Sequence, residues 1–293
     1  MSEKNIVLYK QRDFGQKLNI TIEYIRYNFA PLMKMLLIIV IPMGILSSFF
    51  LGNYFSIFGG LVSNPDATSA DAVGFMGQIA FTYLGIIVAY MITYSFMVAA
   101  VFTYMKAKSE QGSVDYMDAL KDSFKYVPGL IGLSILVGII SFIGFFIFII
   151  PGIYFMVVFS ISLPIYMFEQ QGVGHAFSKC FKLIRDKWWS TFGLMMISSI
   201  IAGVASYIFI IPTYVLMLGD MFRNAENLEA DPGSFFAMFD SWTATAGMAF
   251  SMIGTYLTYC IPIIAIGFQY FNLSERMEGT GLKSQIENFE NLS

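Results

Sequence analysis

Residues 127–168 read VPGLIGLSILVGIISFIGFFIFIIPGIYFMVVFSISLPIYMF and contain no charged side chain. A second stretch, residues 36–104, has neither Lys nor Arg, and its only carboxylates are Asp66 and Asp71. About 20 consecutive apolar residues are enough for a helix to cross the hydrocarbon core of a bilayer. Both stretches therefore predict membrane-spanning helices.

The composition of the whole chain agrees with this interpretation. Of its 293 residues, 57% are hydrophobic and only 13% are charged, whereas a soluble domain is about 25% charged. Without a large basic surface to neutralise phosphates, the chain is not expected to bind nucleic acid.

Hydropathy along the chain predicts six spans. They cover about residues 31–58, 73–105, 128–150, 152–168, 191–218 and 244–271. With a cytoplasmic N-terminal segment at 1–30 and a tail at 272–293, we expect a single polytopic domain over residues 1–293. One helix over 128–168 would be about 60 Å long, so a tight turn at Pro151-Gly152 is preferred to a kink, although a kink stays open.

The basic residues predict the orientation of the spans. Sixteen of the seventeen Lys and Arg side chains lie before the first span or at its edge (Lys34), after even-numbered spans or in the tail, and Arg223 is the exception. Loops rich in Lys and Arg stay in the cytoplasm. We therefore expect a multi-pass protein of the plasma (inner) membrane with both termini in the cytoplasm.

Helical periodicity also appears in the cytoplasmic segments before the odd-numbered spans. Apolar side chains recur at helical spacing within residues 14–29, 114–127 and 173–188, with Lys or Arg on other faces. Such amphipathic helices lie in the membrane interface. The predicted fold is all-α: six transmembrane helices as three hairpins, each preceded by a cytoplasmic interfacial amphipathic helix. Residues 282–292 have the same periodicity and predict a fourth surface helix, and solvated connectors are the alternative for all four segments.

Two groups of side chains are candidate binding residues. Basic residues of the third amphipathic segment are expected to contact anionic lipid, and they are Lys179, Lys182, Arg185 and Lys187. Polar side chains concentrate in the second and sixth spans and could line a partly hydrated groove for a lipid head group or an amphipathic ligand. The groove residues are Gln78, Tyr90, Tyr94, Tyr256 and Gln269. The alternative for this second group is hydrogen bonding between helices, at about 0.6 kcal/mol per contact.

Catalytic and metal chemistry is not expected. His175 is the only histidine and has no Cys, Asp or Glu at ligand spacing. No Ser-His-Asp set, glycine-rich phosphate loop or carboxylate pair is recognisable. The sequence therefore predicts no catalytic residue, no cofactor and no metal. An intramembrane enzyme would need Glu169 to be buried in a pocket with a partner.

The stretch from Pro151 to Trp189 reads PGIYFMVVFSISLPIYMFEQQGVGHAFSKCFKLIRDKWW. It resembles the membrane domain of some bacterial glycerophosphoryl diester phosphodiesterases and related stand-alone families without assigned function. The shared positions are the Pro-Gly-x-Tyr start, a mid-span Pro, Glu at the membrane edge, and Ala, Leu and Trp further on, here Pro164, Glu169, Ala176, Leu183 and Trp188. Cys180 and Asp186 depart from the usual Ser and Gly.

This resemblance implies an integral membrane module that serves as a partner or anchor for other machinery. The catalytic domain of those phosphodiesterases has no counterpart, because every soluble segment is too short for a barrel enzyme. We therefore expect a non-enzymatic scaffold or accessory protein in bacterial envelope or lipid-related processes, with membrane lipids and a protein of the membrane as candidate partners. The alternative is a transporter or flippase of a lipid-like or amphipathic substrate.

Overall fold

Helices form the described part of the chain, which in the computed structural model covers residues 6–63, 68–112, 114–223, 234–237, 239 and 241–279. No strand occurs in those ranges. The α-helices are α1 (Phe14–Tyr27), α2 (Phe29–Val62), α3 (Ser69–Gln111), α4 (Tyr116–Ser123), α5 (Val127–Ile147), α6 (Ile149–Ser160), α7 (Ser162–Glu169), α8 (Val173–Ile184), α9 (Trp188–Arg223), α10 (Ser234–Ala237), α11 (Trp242–Thr258) and α12 (Cys260–Glu278). A short 3₁₀ turn, Phe124–Tyr126, joins α4 to α5.

Six helical stretches within these ranges are long and apolar enough to cross a membrane. They are Phe29–Val62, Asp71–Gln111, Tyr116–Ile147, Ile149–Glu169, Trp188–Arg223 and Trp242–Glu278. The predicted all-α class and the six apolar helices are confirmed. Most of these helices extend past the predicted spans, because a helix continues through polar residues such as Lys106 and Lys108 after its apolar stretch has ended. The predicted surface helix at 282–292 lies outside the described residues.

The charge-free stretch folds back on itself at Phe148. This residue has extended backbone angles (φ −158°, ψ 152°) between α5 and α6, and the two helices pack against each other. Their backbones meet where a Cβ on Gly144 would lie 3.0 Å from Cα of Gly152. Pro151 then lies in the first turn of α6, where its missing N–H has no intrahelical acceptor. The turn therefore comes three residues before the Pro-Gly pair.

Two internal prolines mark breaks in spans that hydropathy alone treats as continuous. The α6–α7 break falls at Ile161 and the α11–α12 break at Tyr259, each three residues before a proline, Pro164 or Pro262. A proline ring clashes with the carbonyl four residues earlier and cannot complete that hydrogen bond. In contrast, Pro42 and Pro212 lie inside uninterrupted helices.

The described residues divide into two compact units. The first takes those of Met1–Leu36, Ser95–Ala202 and Tyr259–Ser293, and the second those of Leu37–Tyr94 and Gly203–Thr258. In the first unit α12 is buried along most of its length, with α1, α7 and α8 packed against it. Helix α8 also lies along α6 and α7, where Phe177 stacks on Phe159 with ring centroids 4.6 Å apart.

The second unit is held by close approach between helices at small residues. Thr213 of α9 donates a hydrogen bond to the Gly247 carbonyl of α11 at 2.7 Å. A Cβ on Gly254 would overlap the Phe209 side chain, and a Cβ on Gly44 would lie 2.5 Å from the Ile253 side chain. These glycines let the helix backbones come together, as small residues do between membrane helices.

Candidate functional site

The first unit contains a surface cavity of about 880 Å³ at the start of α9. Three segments line it: the first turns of α6, the turn between α8 and α9, and the first turns of α9. The lining residues are Ile150, Ile153, Tyr154, Arg185, Asp186, Lys187, Trp188, Trp189, Ser190 and Phe192. One wall is thus apolar, whereas the α8–α9 turn contributes two cations and one carboxylate. We refer to this feature as the α8–α9 cavity.

Aromatic rings shape the wall of the α8–α9 cavity. The indole of Trp188 lies between Tyr154 and Phe192, nearly parallel to both, with ring centroids 6.2 Å and 5.4 Å away. Its Nε1–H donates to the Tyr154 carbonyl at 3.4 Å. Trp189 beside it is 78% exposed. Trp and Tyr are enriched where a membrane protein meets the head-group region, so this wall has the composition of an interfacial site.

The structure separates the four predicted lipid-contact residues. Arg185 and Lys187 line the α8–α9 cavity. Lys182 is exposed on α8 and is not among the lining residues. Lys179 instead forms ion pairs with Glu169 at 3.0 Å and with Glu278 at 2.7 Å. Burial would lower the pKa of Lys179, but the two carboxylates outweigh it and hold that pKa above its ordinary value. The case for lipid contact therefore depends on the other three residues.

Glu169 is the centre of a polar cluster between α7, α8 and α12. Its Oε1 accepts a hydrogen bond from the Tyr270 hydroxyl at 2.9 Å. Its Oε2 lies 2.8 Å from Nε2 of His175 and 3.0 Å from Nζ of Lys179. Only 12% of the Glu169 side chain is exposed. This cluster joins three helices through charge-assisted hydrogen bonds, which are stronger than neutral ones.

A second polar cluster surrounds Lys17, which the helical pattern placed on the exposed face of α1. The structure reverses this placement: Lys17 is 2% exposed, whereas Ile22 of the apolar stripe is 51% exposed. The Lys17 ammonium donates to Oε1 of Gln269 at 2.7 Å and to Oγ of Ser190 at 2.9 Å. Gln269 in turn donates to Oγ1 of Thr191 at 2.7 Å. Gln269 therefore provides a buried hydrogen-bond acceptor for Lys17 where α1 packs against α12.

Burial, and then the nearby charge of Lys187, lower the pKa of Lys17 to about 8, and Asp13 opposes this shift. A lysine whose ammonium is desolvated in this way is a candidate functional group. Ser190 contacts Lys17 and also lines the α8–α9 cavity. The buried amine is therefore one hydroxyl group away from the cavity.

The predicted groove residues occupy different surroundings. Tyr90, Tyr94 and Tyr256 lie together in the second unit, with centroid distances of 6.1 Å and 6.3 Å from Tyr90 to the other two rings. Tyr256 is hydrogen-bonded to Ser47 at 2.8 Å. Gln78 is exposed on α3, and Gln269 belongs to the Lys17 cluster of the first unit. The groove itself stays a prediction.

A second cavity of about 450 Å³ lies within the second unit between α2, α9 and α11. Its walls are mostly apolar and include Met217 and Met248. The Thr213 and Ser251 hydroxyls, 2.6 Å apart, are among the polar groups of the wall. A cavity of this kind suits an apolar or amphipathic ligand with few polar groups.

Among the described residues, no group of three or more His, Cys, Asp or Glu side chains is arranged to hold a metal ion. Sequence reasoning identified Arg185 and Lys187, because charge is visible in a sequence. It missed the contributions of Lys17, Ser190 and Tyr154, because their roles depend on which helices pack together.

Comparisons of the chain with protein-family models, with curated proteins and with solved structures found no match. The resemblance to phosphodiesterase membrane domains therefore stays a prediction that depends on the residues quoted for it.

Proposed function

We propose that this chain is a non-enzymatic accessory or scaffold protein of a bacterial plasma membrane and that it binds anionic lipid in the α8–α9 cavity. The observation that carries the proposal is the combination in one cavity of two cations, three Tyr or Trp rings and an apolar wall. The cations match an anionic head group, and the apolar wall matches the beginning of an acyl chain. At about 880 Å³ the cavity is within the range of about 300–1,000 Å³ typical of small-molecule sites.

The proposed orientation places the α8–α9 turn, with Arg185 and Lys187, on the cytoplasmic side. Because the first turns of α6 line the same cavity, the α5–α6 turn would lie near that leaflet too, and α5 with α6–α7 would form a hairpin that enters the membrane and returns rather than a pair of full crossings. Helices α1 and α4 and both termini would also be cytoplasmic. The distribution of Lys and Arg supports this arrangement. Cytoplasmic leaflets carry the anionic lipids, which attract each nearby Lys or Arg by about 1 kcal/mol. A membrane-impermeant thiol reagent should label a cysteine introduced in place of Lys182 only after the cells are permeabilised. Labelling in intact cells would contradict this orientation.

The Glu169 cluster supports a structural rather than catalytic role. Both carboxylate oxygens accept hydrogen bonds or ion pairs from side chains within the cluster. A general base needs an oxygen available to a substrate proton, whereas these oxygens join three helices. A scaffold that presents a stable surface to a membrane partner requires such contacts between its helices.

Neutralising the cavity cations should weaken binding of anionic lipid. For the double variant Arg185→Gln and Lys187→Gln, we expect affinity for phosphatidylglycerol to fall by about 30-fold, since two basic side chains contribute about 2 kcal/mol together. Native mass spectrometry of the purified protein titrated with the lipid measures this change. Lys182→Gln is the matched control, because Lys182 is equally basic but does not line the cavity. Equal affinities for the double variant and the control would contradict the proposal.

A transporter or flippase of an amphipathic substrate is the second candidate function. The cavity between α2, α9 and α11 favours it, because a methionine-lined cavity can adapt to ligands of different shape. Reconstituted protein should then move a fluorescent lipid between leaflets, and substitution of Met248 by Trp should slow that movement. A rate no faster than in protein-free vesicles would exclude this second candidate.

A further inference from the structure

Lys17 is a buried cation without a buried anion. The residue is 2% exposed. Within the described chain its ammonium donates hydrogen bonds to the neutral oxygens of Gln269 and Ser190 and lies 5.9 Å from the centroid of the Phe14 ring, and it forms no ion pair. Removing a charge from water costs several kcal/mol, and proteins usually offset that cost with a paired charge. Asp13, the N-cap residue of α1, raises the pKa of Lys17 through space, but its carboxylate accepts from the Gln16 backbone N–H and forms no ion pair with Lys17 among the described contacts. The chain thus leaves this cation without a counter-ion.

Ser190 connects the buried cation to the α8–α9 cavity. Its Oγ accepts the Lys17 hydrogen bond at 2.9 Å, so its own hydroxyl hydrogen remains available to an acceptor in the cavity. A hydroxyl that accepts from an ammonium is polarised and becomes a better donor. An anion at Ser190 would therefore be stabilised both by this hydroxyl and by the charge of Lys17 behind it.

The charges around the cavity indicate how much negative charge the ligand carries. Arg185, Lys187 and Lys17 are cations, and Asp186 is the one carboxylate among the lining residues. The net charge facing the cavity is therefore two positive. A phosphodiester lipid carries one negative charge, whereas a phosphate monoester carries about 1.5 to 2 negative charges at neutral pH. The monoester balances the site more closely.

We propose that the α8–α9 cavity selects lipids whose head group is a phosphate monoester, with the phosphate hydrogen-bonded to Ser190 and Lys17 as the buried counter-charge behind it. This inference depends on the proposed lipid-binding function and specifies its ligand. Lys17 acts here as a positioning residue through Ser190, while Arg185 and Lys187 contact the ligand directly.

The test compares two lipids with the same acyl chains, phosphatidate and phosphatidylglycerol. Native mass spectrometry of the full-length protein gives their relative affinities, and we expect phosphatidate to bind about tenfold more tightly, which corresponds to about 1.4 kcal/mol. In Lys17→Met this preference should fall to less than about threefold, with phosphatidylglycerol affinity little changed. Lys182→Met, on the exposed face of α8, is the matched control and should keep the full preference.

Ser190→Ala is a second variant that keeps Lys17 hydrogen-bonded to Gln269. It removes only the proposed donor and should also reduce the preference for phosphatidate. If wild type binds both lipids equally, or if both variants keep the wild-type preference, the inference is wrong although the proposed function stands. If neither lipid binds better than phosphatidylcholine, the proposed function itself fails.

A water-soluble monoester separates a lipid from a free phosphate compound. Glycerol 3-phosphate at the concentration of the lipid should not displace phosphatidate, because it lacks the chains that contact Ile150, Ile153 and Phe192. Displacement as efficient as that by unlabelled phosphatidate would contradict the proposal that the ligand is a lipid.

The pH dependence offers a readout that a merely structural role for Lys17 would not change. The pKa of Lys17 is lowered to about 8, first by burial and then by Lys187, against the opposing effect of Asp13. Lys17 is charged below that pKa and loses its charge as the pH rises above it. A bound phosphate raises the pKa of Lys17. The preference for phosphatidate should therefore decline above about pH 8 in wild type and stay flat in Lys17→Met. Arg185, Lys187 and Asp186 are present in both proteins, so their effects cancel.

Discussion

Replacing Glu169 by alanine should lower the free energy of unfolding by about 3 kcal/mol, because the change removes the shared acceptor of the polar cluster. Removing one partner of a buried ion pair costs about 3–5 kcal/mol. The lower end applies here because Lys179 keeps Glu278 as a partner at 2.7 Å. Tyr270 and His175 lose the carboxylate that lies 2.9 Å and 2.8 Å from them. Three helices would therefore lose their common contact.

Unfolding of the purified protein by sodium dodecyl sulfate, followed by circular dichroism, measures this loss. Glu278→Gln is the matched control, since Glu278 is also a partner of Lys179 but is 37% exposed in its side chain. It should cost less than about 1 kcal/mol, as exposed ion pairs do. Equal losses of unfolding free energy for Glu169→Ala and Glu278→Gln would contradict the role of Glu169 as the buried contact that connects the three helices.

Replacing Gly254 by alanine should destabilise the second unit by about 3 kcal/mol. Gly254 lies in α11 against α9, and a Cβ there would overlap the Phe209 side chain near its attachment to the backbone. Phe209 cannot avoid the new atom by moving only the far end of its ring, so the helices must separate. Overpacking of this kind typically costs about 1–3 kcal/mol and occasionally more.

Gly203→Ala tests whether the effect comes from contact rather than from the loss of any helical glycine. Gly203 also lies within a long helix, but a Cβ there would meet nothing within 4 Å. Alanine is the better helix former by about 1 kcal/mol, so this variant should be as stable as wild type or more stable. Both proteins are compared in the same detergent unfolding assay. Loss of stability in Gly203→Ala comparable to that in Gly254→Ala would contradict the packing argument.

The helical spans could be predicted from sequence because they depend on local composition. A charge-free stretch such as residues 127–168 must be buried in lipid or protein, and its length sets the number of crossings. The exact turn was harder to place, because Pro151 is tolerated in the first turn of α6 and the reversal occurs at Phe148 instead. Prolines show where a helix can break, but only the close contact of Gly144 and Gly152 shows where the chain reverses.

The polar clusters could be predicted only in part. Glu169 is visible as a charge at the edge of an apolar span, yet its partners lie six to 101 positions away in sequence. Helical periodicity predicts an exposed face for Lys17, because it separates polar from apolar residues without showing which face is buried. In the structure Lys17 faces α12, where Gln269 accepts its hydrogen bond, and Asn272 of α12 accepts from the backbone N–H of Arg12 just before α1. A glycine in the sequence likewise does not show whether two helices meet there: a Cβ on Gly138 or Gly203 would meet nothing within 4 Å, whereas one on Gly254 would overlap Phe209.

Photo-crosslinking with a phosphatidate analogue that carries a diazirine next to its head group tests the central claim most directly. In membranes containing the full-length protein, we expect lipid adducts on peptides that include Ile150–Tyr154 and Trp188–Phe192, the two segments that form the walls of the α8–α9 cavity. The Arg185→Gln and Lys187→Gln double variant should lose most of these adducts. Adducts spread evenly over exposed apolar positions such as Phe81 and Ile208, and unchanged in the double variant, would contradict a specific lipid site.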